Sequence, residues 1–126
     1  MTDQSPALPA GLRLRCTDPE LAETARGVAS RVHPLTLMPF GPACGAVELV
    51  VERGDGRLGA HPRFADAVHA SLSVRLNRGR GQVVINTSHR DGTQAITQAF
   101  ARAQRELMRR LNGRQRRLGS ALPRPV

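Results

Sequence analysis

Three β-rich runs follow one another between Ala46 and Ser88, and this succession constrains the fold more than any other feature of the chain. Ala46–Glu52 (AVELVVE) is dense in β-branched residues, Ser71–Leu76 (SLSVRL) alternates apolar with polar, and Gln82–Ser88 (QVVINTS) is again β-branched. Arg53-Gly54-Asp55-Gly56 closes the first run as a turn, and the Gly-rich Asn77-Arg78-Gly79-Arg80-Gly81 joins the other two as a hairpin. Three consecutive strands of this kind predict an antiparallel meander. Between Arg57 and Val68 the pattern predicts a loop, with a short helical turn at Phe64–Val68.

Helical spacing flanks the meander on both sides. Leu12–Cys16 (LRLRC) alternates as a first strand, and Thr17-Asp18-Pro19-Glu20 then opens a helix. Thr17 or Asp18 can cap its free N–H groups, Pro19 fits the first turn, and Glu20 and Glu23 suit the positive end of its dipole. Leu21, Ala25, Val28, Ala29 and Val32 form its apolar face, and His33-Pro34 is expected to end it. Leu35–Gly45 reads as a Pro/Gly-punctuated connector. The closing helix starts near Asp91-Gly92-Thr93, with Asp91 or Thr93 as cap, and Asn112-Gly113 reads as its stop. The order is β-α-β-β-β-α. It predicts an α+β domain of two layers, a four-stranded sheet with both amphipathic helices on one face. Residues 1–10 read as a flexible leader, 11–113 as the domain and 114–126 as a basic flexible tail.

Charge is concentrated on the closing helix. Phe100–Val126 holds eight arginines against the single acid Glu106, so it carries +7 of the net +9. Ile96, Phe100, Ala103, Leu107 and Leu111 share one arc of the helical wheel, while Gln98, Arg102, Arg105 and Arg109 share the opposite arc. A solvated helix face ordinarily mixes signs for local pairing, whereas here only Glu106 can pair, with Arg102, Arg109 or Arg110. A face of one sign is the footprint of a polyanion binder. Arg110 and Arg114 continue it, Arg78 and Arg80 on the hairpin and Arg90 before the helix are candidates to extend it, and Arg75 stands beside them. All 19 basic residues are arginine, which pairs with phosphate bidentately and stacks on bases.

Other chemistry finds little support in the residues. His33, His61, His69 and His89 are scattered outside any metal spacing and read as surface or capping histidines. No carboxylate pair falls on one face, and Gly79-Arg80-Gly81 opens no helix and lacks the following Lys-Ser/Thr of a phosphate loop. The chain is therefore read as a non-enzyme with no cofactor, no metal and no small-molecule substrate. Three Phe and no Trp or Tyr leave little for stacking single-stranded bases. Cys16 and Cys44 read as small apolar side chains in a reducing compartment. With no run near the ~20 residues of a membrane span, and no secretory signal pattern, a cytoplasmic protein without membrane contact is expected.

Ser71–Asn112 (SLSVRLNRGRGQVVINTSHRDGTQAITQAFARAQRELMRRLN) resembles the ribosome hibernation-promoting factor / ribosome-associated inhibitor family in its short form. The resemblance rests on strand, Gly-containing hairpin and strand leading into a helix start that bears Asp91, then Ala95-Ile96 and Leu107 on a basic amphipathic helix. It extends more loosely back to Leu12. It implies a β-α-β-β-β-α fold similar to double-stranded-RNA-binding domains, and binding to small-subunit ribosomal RNA over the mRNA and tRNA sites. It also implies a monomer off the ribosome. The RNA contacts of that family's basic helix fall here on Arg90, Arg102, Arg105, Arg109 and Arg110. Gly92-Thr93 replace an aromatic often found at the helix start, and the first helix is less basic, with Arg26 and Arg31 offset by Glu20 and Glu23. A general double-stranded-RNA-binding module and a basic protein-interaction domain are the alternatives.

Overall fold

The computed structural model describes residues 8–9, 11–54 and 67–120, with side chains described as far as Leu111. The elements run β1 (Leu12–Arg15), α1 (Pro19–Thr36), a short 3-10 segment (Met38–Ala43), β2 (Cys44–Arg53), β3 (Val68–Leu76), β4 (Gln82–His89) and α2 (Gly92–Ser120). This is the expected order. The four strands form one mixed sheet in the order β1-β2-β3-β4. Antiparallel pairing of β2 with β3 and of β3 with β4 makes the meander, and β1 joins β2 in parallel after the α1 crossover. A parallel neighbour requires such a crossover, because a tight turn returns the chain only antiparallel.

Alternation along the strands divides the sheet into two faces. Leu12, Val47, Leu49, Val51, Val68, Ala70, Leu72, Val74, Leu76 and Val83 are buried in one core with the apolar sides of both helices. Both helices therefore lie on that face, and the other face is left to Arg13, Glu48, Ser73, Arg75 and their neighbours. Phe100 is fully buried, and a side chain of that size contributes about 1.5–3 kcal/mol by leaving water. β1 and β4 run in the same direction, so the helices that return from them are parallel to each other. Accordingly Gly92 at the start of α2 lies beside Leu21, and the Phe100 ring meets His33 edge-on at 6.4 Å.

Asp18 is the cap of α1, its Oδ1 accepting from the N–H groups of Glu20 (3.0 Å) and Leu21 (3.3 Å). Asp91 does the same for α2 through Thr93 N–H at 2.9 Å. Three expectations about element ends are corrected. Pro34 lies inside α1, not at its end, because in the last turn it forfeits only one backbone bond; Leu37 N–H then closes onto the His33 carbonyl at 3.0 Å. Asn112-Gly113 does not stop α2, which runs on to Ser120. One glycine costs about 1 kcal/mol, and the Arg/Gln/Leu run after it is made of good helix formers. Arg114 thus stands on helical backbone and not in a tail. The helical turn expected at Phe64–Val68 lies outside the described residues up to 66, and Val68 already belongs to β3.

Candidate nucleic-acid interface

α2 holds its arginines outward because Ile96, Phe100, Ala103 and Leu107 are held inward. Arg102 and Arg105, one turn apart, are exposed and form no ion pair among the described residues. The other two arginines are engaged. Arg109 donates to both oxygens of Glu106, Nη2 to Oε1 at 2.6 Å and Nε to Oε2 at 3.2 Å. Arg110 donates from Nε to the same Oε1 at 3.1 Å and from Nη1 to the Gln82 carbonyl at 3.2 Å. These bonds, from Arg109 first and then Arg110, hold the Glu106 carboxyl below its ordinary range, and Glu106 in turn raises Arg109. The three groups together carry one net positive charge. Arg102 and Arg105 are consequently the more available to an incoming phosphate. Of the three partners open to Glu106 from spacing alone, Arg102 is the one left unused.

The hairpin is built to a fixed shape. Arg78 and Gly79, at its tip, both have positive φ (62° and 66°), the left-handed region that favours glycine. Asn77 anchors the base: its N–H donates to the Ala43 carbonyl at 3.1 Å and its Nδ2 to the Pro42 carbonyl. Gly45 makes room for this anchor, since a Cβ there would come within 2.7 Å of Asn77 Oδ1. Arg78 is exposed, and half-buried Arg80 shares a small cleft with Pro42, Ala43, Asn77 and Arg78. Holding Arg78 left-handed costs about 1–2 kcal/mol, so it is presented at a price the anchored turn sustains.

The arginines anticipated from sequence are not one patch. Arg110 reaches Gln82, so the turn of α2 that carries Arg110 lies beside the strand leading from the hairpin with Arg78 and Arg80. Arg90 stands at the other end of that strand, before Gly92, and about 27 Å of helix separates Gly92 from Arg110. Arg102, Arg105 and Arg109 form the line between. Arg75 does not join them: Val74 and Leu76 on either side are buried, so Arg75 projects onto the helix-free face of the sheet. There it borders a shallow depression with Arg13, Glu48, Ser73 and Gln82, a set of mixed sign. The side chain of Arg114 lies outside the described residues. On α1 both Arg26 and Arg31 are exposed, interspersed with exposed Glu20 and Glu23, so that helix adds no matching cationic face.

The histidines divide. His69 Nδ1 lies 2.6 Å from Ser88 Oγ, and His89 Nδ1 accepts from Asp91 N–H at 2.9 Å, a capping role as expected. His61 lies outside the described residues. His33 is corrected: it is buried, with Nδ1 lacking any partner, and burial lowers its affinity for a proton. Ala25 and Ala29, each a turn apart on the same line, were the signal for that inward position. Cys16 and Cys44 are half-buried free thiols, both raised chiefly by burial, which makes them poor nucleophiles at neutral pH. Among the described residues no cluster of His, Cys, Asp or Glu is placed to hold a metal, and no helix is long and apolar enough to cross a membrane.

What the arrangement offers chemically is phosphate pairing at spaced points on a rigid two-layer body. Compared with protein-family models and with curated proteins, the chain matches none.

Proposed function

We propose that this protein is a ribosome-associated translation inhibitor of the hibernation type, which binds small-subunit ribosomal RNA and occludes the mRNA and tRNA sites. One observation carries the reading: on α2 of a β-α-β-β-β-α domain, Arg102 and Arg105 stand exposed and unneutralised among the described residues. Arg109 and Arg110 follow on the same helix, and Arg78 is held out on a clamped turn of the hairpin whose second strand Arg110 reaches. The resemblance of Ser71–Asn112 to the hibernation-factor family points the same way. The mechanism is occupancy without turnover. Phosphate contacts supply affinity, and the spacing of cationic points on a rigid body selects a folded RNA surface by shape, since A-form RNA offers little groove sequence to read.

The test is co-sedimentation with small ribosomal subunits. Arg102→Glu with Arg105→Glu is expected to abolish association while leaving the circular dichroism spectrum unchanged, because neither side chain supports the core. Unchanged sedimentation of that variant overturns the assignment. A plain RNA duplex at the same salt is the companion ligand, and equal affinity for duplex and subunit replaces the ribosome reading with a general double-stranded-RNA module.

A further inference from the structure

The two edges of the sheet are protected very differently. β1, at one edge, is four residues long and carries Arg13 and Arg15, the short and charged form that discourages further pairing. β4, at the other, runs eight residues, Gln82-Val83-Val84-Ile85-Asn86-Thr87-Ser88-His89, with no Lys, Arg, Asp, Glu or Pro and no register shift against β3. Val84 lies on the helix-free face and is 48 % exposed.

The ladder shows which backbone groups are open. Leu76 N–H donates to the Gly81 carbonyl, so Leu76 and Gly81 are a hydrogen-bonded pair. Such pairs alternate in an antiparallel ladder, which makes Val74–Val83, Leu72–Ile85 and Ala70–Thr87 the bonded ones. The N–H and C=O of Gln82, Val84, Asn86 and Ser88 then point away from β3. The Arg110 bond to the Gln82 carbonyl agrees with this phase, because that oxygen must face outward to be reached. The groups of Val84, Asn86 and Ser88 have no hydrogen-bond partner among the described residues.

Charge decides what fits there. Arg80 and Arg110 stand at the Gln82 end of the strand and Arg90 at the Ser88 end, about 20 Å away along the strand. Two copies paired antiparallel about a two-fold would set Gln82 opposite the second copy's Ser88. Arginine would then meet arginine at both ends of the joint, between chains of net charge +9. An extended segment with an uncharged β-forming centre and acidic flanks meets no such opposition. We infer that the free edge of β4 is a docking site for an extended, acid-flanked segment of a partner protein, which adds as a fifth strand. The strand lies apart from the Arg102–Arg105 line of α2, while Arg80, Arg90 and Arg110 border both, so the two readings are separated by variants of the strand itself.

The probe is a fluorescent nine-residue peptide with an alternating Val-Thr centre and two Glu at each end, titrated into the full chain at moderate salt. Saturable binding is expected, with amide NMR shifts centred on Val84, Asn86 and Ser88. The same peptide with Lys ends, and one with Pro in the centre, are each expected to bind at least tenfold more weakly. Asn86→Pro removes a donor that β3 does not use, so the sheet is retained and peptide binding is lost; Val84→Lys is a second variant with the same expectation. Co-sedimentation of Asn86→Pro with small subunits stays at the wild-type level, which separates this inference from the RNA reading. Equal binding of Glu-ended and Lys-ended peptides overturns the proposal, as does full binding by Asn86→Pro. A dimer in solution that Asn86→Pro dissolves overturns it in favour of a second copy.

Discussion

Individual side chains were legible where their chemistry is local. The caps were legible to within a pair, Thr17 or Asp18 and Asp91 or Thr93, because a cap acts within three residues of itself, and the structure selects Asp18 and Asp91. The fate of Arg109 and Arg110 was only half legible. Their spacing to Glu106 was visible, but the choice against Arg102 and the reach to Gln82 depend on where α2 meets the sheet. His33 was missed because proline beside it suggested an end, while the buried line through Ala25 and Ala29 argued the reverse. Its burial has a measurable effect. A base whose folded-state proton affinity is lowered binds protons more readily when unfolded, so stability rises with pH across that interval. The contribution is full above the ordinary histidine value of 6.5 and is lost as pH falls from there through the lowered folded value. Asp18 and Glu106 titrate lower, below 3.8 and 4.5, and leave this window clear. Urea midpoints are therefore expected to fall between pH 7 and pH 5 in the wild type and to fall less in His33→Leu. Parallel declines would show that the His33 imidazole is not the cause.

Elements were legible in kind and order, less so in extent. Short-range alternation announces a strand, but β2 gains Cys44 by pairing with Leu76, and β3 gains Val68–Ala70 by pairing with Val51–Arg53 on one side and Thr87–His89 on the other. Local rules make Pro34 and Gly113 stops, yet each is tolerated where the loss is a single bond or about 1 kcal/mol. The β3–β4 hairpin was visible as a Gly-rich link, yet nothing local revealed that Arg78 occupies a left-handed position held by Asn77 and the segment before β2. That conformation separates stability from function. Arg78→Gly is expected to raise stability by roughly 0.5–1 kcal/mol, the strain relieved less the added chain entropy, while weakening RNA association. Thermal unfolding and subunit co-sedimentation of one preparation test both halves. A loss of stability would mean that the Arg78 side chain supports the turn.

At the scale of the molecule, the polyanion footprint was legible as a total and not as a shape. Net charge placed the surplus on the last helix, but only the packed sheet shows that Arg75 lies on the far face and that Arg90 and Arg110 stand at opposite ends of β4. The distribution predicts unequal electrostatic weights. On a double-logarithmic plot of affinity against salt, replacing Arg102 and Arg105 by Ala is expected to reduce the slope by about 1.4–1.8, from roughly 0.7–0.9 per phosphate. Arg109→Ala is expected to reduce it by less than half that amount, because Glu106 already occupies that guanidinium. Equal changes per arginine would show that the Glu106 pairing opens on binding. Finally, the shortness of β1 has a consequence for opening. It is four residues long and paired on one side only, to β2, whereas β2 and β3 are each paired on both sides. An element with so few bonds is the first expected to open locally. Amide exchange is therefore expected to be faster at Leu12–Arg15 than in β3, which would make the edge beside β1 the seam along which this small domain begins to come apart; equal protection of the two strands would place that seam elsewhere.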